Sequence, residues 1–181
     1  MKKIMSMIAA LLVMVVSHSN AYASRVHDLT CLTADFVGKD TDLVEYIAAT
    51  QEAAKTFGIA PAILVAIKRT ESGRSLNPYV VNNNTNGTTD RGYYQINAEV
   101  WLPELKRIGL KVSNDDLHGV RNNALIAGWI YKRQLDRVKS PLEAVGYYHK
   151  GGGSGPRAEK IRSIYKNKFM KNLRASIKNC S

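Results

Sequence analysis

Two apolar stripes at helical spacing, separated by only a few residues, constrain this chain more than any other feature. Leu43, Val44, Ile47, Ala48 and Ala54 trace the first, and Ile63, Leu64 and Ile67 trace the second. A face that is apolar at this period has to be buried against another element. Gly58 suits the left-handed position just past a helix end, and Pro61 suits the first turn of the next helix. Asp42 is expected to cap the first helix, with Glu45 reaching back from the third position. The second stripe ends on a charged residue. Glu71 stands one turn beyond Ile67, on the same inward face, just before Gly73 closes the element. Burying an ionised carboxylate is costly unless it is paired or protonated. Glu71 therefore either turns outward to a cation such as Arg69 or Arg74, or serves as a general acid whose proton affinity is raised by partial burial.

The rest of the chain extends this mainly helical pattern. Residues 74–92 are rich in Asn, Gly, Thr and Asp, which predicts a short β-hairpin or an ordered loop. Asn97 is placed to cap a helix running through Val100, Leu102, Leu105 and Ile108, up to Gly109. A further helix is expected to hold Leu117, Val120, Ala124, Ala127 and Tyr131. Ser140-Pro141-Leu142-Glu143 reads as a capping box opening a short helix through Tyr147 and Tyr148. Gly151 to Gly155 interrupts the chain. Pro156 starts a last, basic helix with Ile161, Tyr165, Phe169, Leu173 and Ile177 on one stripe, expected to pack on the domain and keep its basic face in solvent.

The N-terminus points to export. Lys2 and Lys3 precede an apolar run from Ile4 to Val16, and Ala21-Tyr22-Ala23 supplies a small-residue cleavage site, the pattern of a secretory signal peptide. The run is shorter than the ~18–20 residues a spanning helix needs, so no stable membrane insertion is expected after cleavage. The formal net charge of the chain is +11, and loss of Lys2 and Lys3 leaves it strongly basic. Such a balance favours an anionic partner. Export argues against nucleic acid, leaving peptidoglycan, whose stem peptides carry carboxylates, or membrane headgroups. Cys31 and Cys180 lie near the two ends of the exported part. In an oxidising compartment they are expected to pair, with unpaired thiols or a bond to another chain as the alternatives. His27, His118 and His149 are scattered without zinc-type spacing. No Gly-rich phosphate loop stands between a strand and a helix, so neither metal nor cofactor is expected.

Three ordered segments carry a family resemblance. Glu71-Ser72-Gly73, then Gly92-Tyr93-Tyr94-Gln95-Ile96-Asn97, then Ala144-Val145-Gly146-Tyr147-Tyr148 resemble the E-S-x, G-L-M-Q-I-N and A-Y-N-x-G motifs of the soluble lytic transglycosylases. Asn82 to Leu105 resembles the branch associated with conjugation, pilus and type III or IV secretion systems. The resemblance covers about residues 43 to 155. It implies a mainly α, lysozyme-like α+β domain over 41–155. A signal peptide over 1–23 and an N-terminal extension over 24–40 would precede that domain, with the basic helix of 156–181 packed on it. It also implies cleavage of the MurNAc-GlcNAc bond of peptidoglycan in the periplasm, closing a 1,6-anhydro ring, in the service of an envelope secretion or conjugation machine.

By the same resemblance Glu71 is the catalytic acid and base, and Ser72, Tyr94, Gln95, Asn97, Tyr148 and His149 contact or support the sugar. The Tyr148 hydroxyl is expected to bond Glu71 or substrate, Tyr94 to line the floor near the acid, and Asn97 to serve as a helix cap or a ligand. Asp90 is either a second carboxylate, as in hydrolysing lysozymes, or a turn residue paired with Arg91. Two departures stand out. Tyr93-Tyr94 replaces Leu-Met, and His149 replaces the asparagine of the third motif, bringing a group that titrates near neutrality. The rival expectations are a hydrolytic muramidase on the same fold and a non-cutting peptidoglycan-binding assembly protein.

Overall fold

The structure, a computed structural model, describes residues 28–180. The expected signal peptide lies outside the described residues. Among these residues the chain forms seven α-helices and a small antiparallel sheet. The helices are α1 (Leu29–Leu32), α2 (Asp40–Phe57), α3 (Pro61–Glu71), α4 (Ala98–Arg107), α5 (Val120–Val138), α6 (Pro141–His149) and α7 (Pro156–Lys178). The strands are β1 (Val81–Asn83), β2 (Thr89–Arg91) and β3 (Ile96–Asn97), ordered β1-β2-β3. This is the mainly helical, lysozyme-like arrangement expected, and the hairpin falls within the polar tract that predicted it.

The second stripe packs inward as expected, but the first does not hold: Val44 is 67% exposed and Ala48 is exposed, while α2 buries Tyr46, Ala49, Thr50, Ala53 and Ala54, because docking on α5 selects a face rotated from the one its apolar residues suggested. Helix α2 lies along α5, and α3 is held between α7 and the rest of the bundle. Ala62, Leu64, Val65, Ala66 and Ile67 are all buried, so α3 is covered on nearly every side and forms the spine of the domain. Pro61 occupies its first turn and Gly58 takes φ 62 at the end of α2, both as their chemistry requires. Lys68 is also fully buried. Its ammonium donates to the carbonyls of Gly73 (3.0 Å) and Ser75 (2.6 Å) and lies 4.5 Å over the Phe36 ring. Burial pulls its pKa down to about 7. Lys68 thereby ties down the backbone that follows Glu71.

Several local details differ from expectation. Helix α2 begins at Asp40 instead of after Asp42, and the Asp42 carboxylate accepts from the Lys39 amide. Leu117 lies in a separate 3-10 turn (Asp115–His118), with Gly119 between it and α5. The capping box at Ser140 does not form. Glu143 instead takes a charge-assisted bond from Lys166 of α7 at 2.6 Å, which is stronger than a bond to a neutral amide.

Cys31 and Cys180 are joined in a disulfide with Cα atoms 5.0 Å apart, stapling α1 to the end of α7. Asp35 forms an ion pair with Arg69 beside it. No helix among the described residues is long and apolar enough to cross a membrane.

Candidate active site

Glu71 is the last residue of α3, and its side chain is only 12% exposed. Its Oε1 accepts a 2.6 Å hydrogen bond from the hydroxyl of Tyr165, on α7. Burial raises the Glu71 pKa to about 7 against the pull of that hydroxyl, with the Asp90 charge raising it further and Lys168 opposing. The largest cause is desolvation, which penalises the carboxylate and not the acid. A carboxyl group shifted towards neutrality in this way is suited both to give and to take a proton.

The residues after Glu71 are locked to the second motif. Ser72 ends the helix, and its hydroxyl donates to the Tyr93 carbonyl at 2.7 Å. Gly92 takes φ +74, where an added Cβ would lie 2.5 Å from the Leu117 carbonyl and from the Asn123 amide. Asn123 of α5 fills the space behind this turn. Its amide nitrogen donates to the carbonyls of Arg91 (3.1 Å) and Leu117 (2.8 Å), and its oxygen accepts from the Tyr94 amide (2.9 Å). Gln95, at φ 47, donates to the Gly92 carbonyl at 2.7 Å and accepts from Asn82 of β1 at 2.5 Å. It braces the turn against the sheet.

Tyr94 is fully buried. Its hydroxyl contacts those of Thr50 (3.1 Å) and Tyr46 (3.4 Å) in the core, so the polar tip points away from Glu71. The Tyr148 hydroxyl donates to the Tyr94 carbonyl at 2.9 Å and not to Glu71; the tyrosine that reaches the acid is Tyr165. Burial holds the Tyr148 hydroxyl protonated well above its ordinary range.

Asn97 caps α4 by accepting from the Val100 amide at 3.1 Å, while its amide donates to Asp90 at 2.7 Å. Asp90 therefore sits on a strand with Asn97 as its partner, not in a turn paired with Arg91. Arg91 turns the other way, to His118.

His149 ends α6. Its ring stacks on that of Tyr165, with centroids 4.3 Å apart and planes 3° from parallel. Its Nδ1 lies 3.9 Å from Oε1 of Glu71. Partial desolvation lowers its pKa below the ordinary value and favours the neutral ring, although the side chain stays 44% exposed.

Sequence reasoning missed Tyr165, Lys168 and Asn123. Tyr165 was legible as an inward-facing residue of the last stripe, but nothing local says that α7 returns to the end of α3. Lys168 donates to the Thr70 carbonyl at 2.6 Å, placing a cation beside the acid. Among the described residues no group of three or more His, Cys, Asp or Glu is placed to hold a metal ion. The chemistry on offer is proton transfer by one largely buried carboxyl group, with Asp90 acting on it through space.

Comparison with known proteins places the chain in one family. Residues 48–171 match the family described as the Transglycosylase SLT domain, a span that runs into α7 and includes Tyr165. The chain is 29% identical over 123 residues to the invasion protein IagB of Salmonella typhimurium, covering 68% of this chain and 73% of that one. The invasion protein IagB of Salmonella typhi matches to the same extent. No solved structure matches the chain.

Proposed function

The chain belongs to the SLT transglycosylase family of peptidoglycan lytic transglycosylases, and from that premise we propose that it cleaves the MurNAc-GlcNAc β-1,4 bond with formation of a 1,6-anhydroMurNAc end. The observation that supports this reading is the state of Glu71, an acid whose pKa is raised to about 7 by burial and whose carboxyl group is oriented by one phenol. In the first step Glu71 gives its proton to the glycosidic oxygen as the C1–O bond breaks. The substrate's own N-acetyl group stabilises the cationic centre. Glu71, now a carboxylate, then takes the proton of the C6 hydroxyl as O6 bonds to C1, and the enzyme returns to its starting state. The nucleophile is part of the same sugar, so closure needs no second molecule. Ser72, Gln95, Asn97 and Tyr148 brace the backbone around this group through their hydrogen bonds, and substrate meets Glu71.

A second reading is favoured by one observation. The Asp90 charge acts on Glu71, and a second carboxylate beside the acid is what hydrolysis of a glycoside uses. Water would then replace the C6 hydroxyl.

Action on peptidoglycan places the working enzyme outside the cytoplasm, and the N-terminal segment fits delivery to the periplasm. The similarity to proteins named for invasion supports a role in opening the wall locally for an envelope-spanning machine. Mass spectrometry of peptidoglycan digested by the protein, beside Glu71→Gln, tests the chemistry. Anhydro-muropeptides from the wild type alone support the lyase; reducing ends would establish the muramidase in its place.

A further inference from the structure

His149 takes no part in the proton transfers above, yet it is built into the same cluster. Three helices converge on one oxygen atom. Glu71 comes from the end of α3, Tyr165 from α7 and His149 from the end of α6. The Tyr165 hydroxyl and the His149 ring both approach Oε1. With the phenol donating to Oε1, the transferable proton is assigned to the other oxygen, Oε2. That division holds only while the phenol stays on Oε1. The face of the Tyr165 ring is covered by the parallel imidazole at 4.3 Å, which leaves the phenol no room to rotate away on that side.

Resting on the reading of Glu71 as the catalytic acid, we propose that His149 is a positioning residue: its ring clamps Tyr165 against Oε1 of Glu71, and its conversion to a cation sets the acid limit of turnover. The charged groups around the imidazole come from four elements. Asp90 on β2 favours the cation, and the Glu71 carboxyl on α3 lies 3.9 Å from the ring. Lys150 just past its own helix and Lys168 on α7 oppose the cation, and so does burial, the largest of these effects. Tyr165 contributes a neutral face. The net effect favours the neutral ring. As pH falls and the ring is protonated, a positive charge appears 3.9 Å from the Glu71 carboxyl. A cation there stabilises the carboxylate over the acid and repels the positive charge that develops at C1. Both effects slow cleavage.

The test uses the exported protein on purified peptidoglycan, with kcat and KM followed between about pH 4.5 and 8. His149→Ala removes both the clamp and the charge; His149→Phe keeps a stacking ring without the charge. We expect His149→Ala to lower kcat at pH 7 by about tenfold with KM little moved, and His149→Phe to recover much of that loss. The acid limb of the wild-type profile should be absent from both. Wild-type kcat in His149→Ala, no rescue by Phe, or an acid limb that persists in Phe would overturn the proposal. Thermal unfolding of each variant identifies any that fails to fold. A 13C NMR titration of the Glu71 carboxyl gives an outcome independent of turnover. The wild type should show two steps, its own and that of His149, and His149→Phe should show one. A single step in the wild type overturns the proposal even if cleavage occurs. An inactive wild type with two steps overturns the transglycosylase reading instead.

Discussion

Tyr165 and Glu71, 94 residues apart in the chain, meet in a 2.6 Å hydrogen bond in which the phenol donates to Oε1 of the carboxyl group. The bond favours the charged form of Glu71 and partly offsets the desolvation that raises its pKa to about 7. Tyr165→Phe is therefore expected to raise the Glu71 pKa further. The alkaline limb of the kcat/KM profile should move to higher pH, while kcat at neutrality falls by about tenfold because the carboxyl loses its fixed orientation. A limb that moves downward would mean that the hydroxyl bonds the neutral acid instead.

The same burial makes Glu71 a cost to the fold at alkaline pH. Its pKa rises from 4.5 in the unfolded chain to about 7 in the folded protein. The folded state thus binds the proton more tightly, and the associated stability is present in full below pH 4.5 and lost as pH rises through about 7. Glu71→Gln removes this dependence. It should abolish cleavage yet stabilise the protein by about 3 kcal/mol at pH 8 relative to its effect at pH 4. Urea unfolding of both proteins at the two pH values measures the difference; equal effects at both would show that Glu71 is solvated.

Gly92 carries the turn that brings the second motif beneath Glu71. Its φ of +74 and the 2.5 Å approach to the Leu117 carbonyl leave no room for a methyl group, and the obstructing atom is backbone. Gly92→Ala is expected to destabilise the protein by about 2–4 kcal/mol. It should also lower activity, because Asn123 and Ser72 are anchored to the same turn. Denaturant midpoints and initial rates report the two effects separately.

The disulfide between Cys31 and Cys180 spans a sequence separation of 149 residues. Closing so long a loop limits the unfolded chain and stabilises the fold by about 4–5 kcal/mol in the chain-entropy model. Reductant, or Cys31→Ser, should lower the melting temperature. The loss should be felt first where α1 and the end of α7 are pinned, as early hydrogen exchange in those segments. An unchanged melting temperature in reductant would show that the Arg69–Asp35 pair and the local core hold this corner alone.

Much of this protein was determined by local sequence. The stripe of α3, the Gly58 and Pro61 boundary, the Asn97 cap and the polar tract that became the hairpin all act through contacts within one turn or one strand pair, whereas the inward face of α2 was set by its docking on α5, which leaves Val44 and Ala48 exposed. The end position of Glu71 on an inward face follows from the same 3.6-residue period. Tertiary structure decided which side chain answers that carboxyl. The third motif pointed to Tyr148, but the packing of α6 sends its hydroxyl to the Tyr94 carbonyl, while α7 swings Tyr165 onto Glu71. It likewise turned Glu143 from its own helix to Lys166, and Asp90 from Arg91 to Asn97. In each case the available partners were separated by tens of residues or lay on neighbouring strands. Side-chain direction and proximity across elements depend on how whole helices dock, and no local period encodes that.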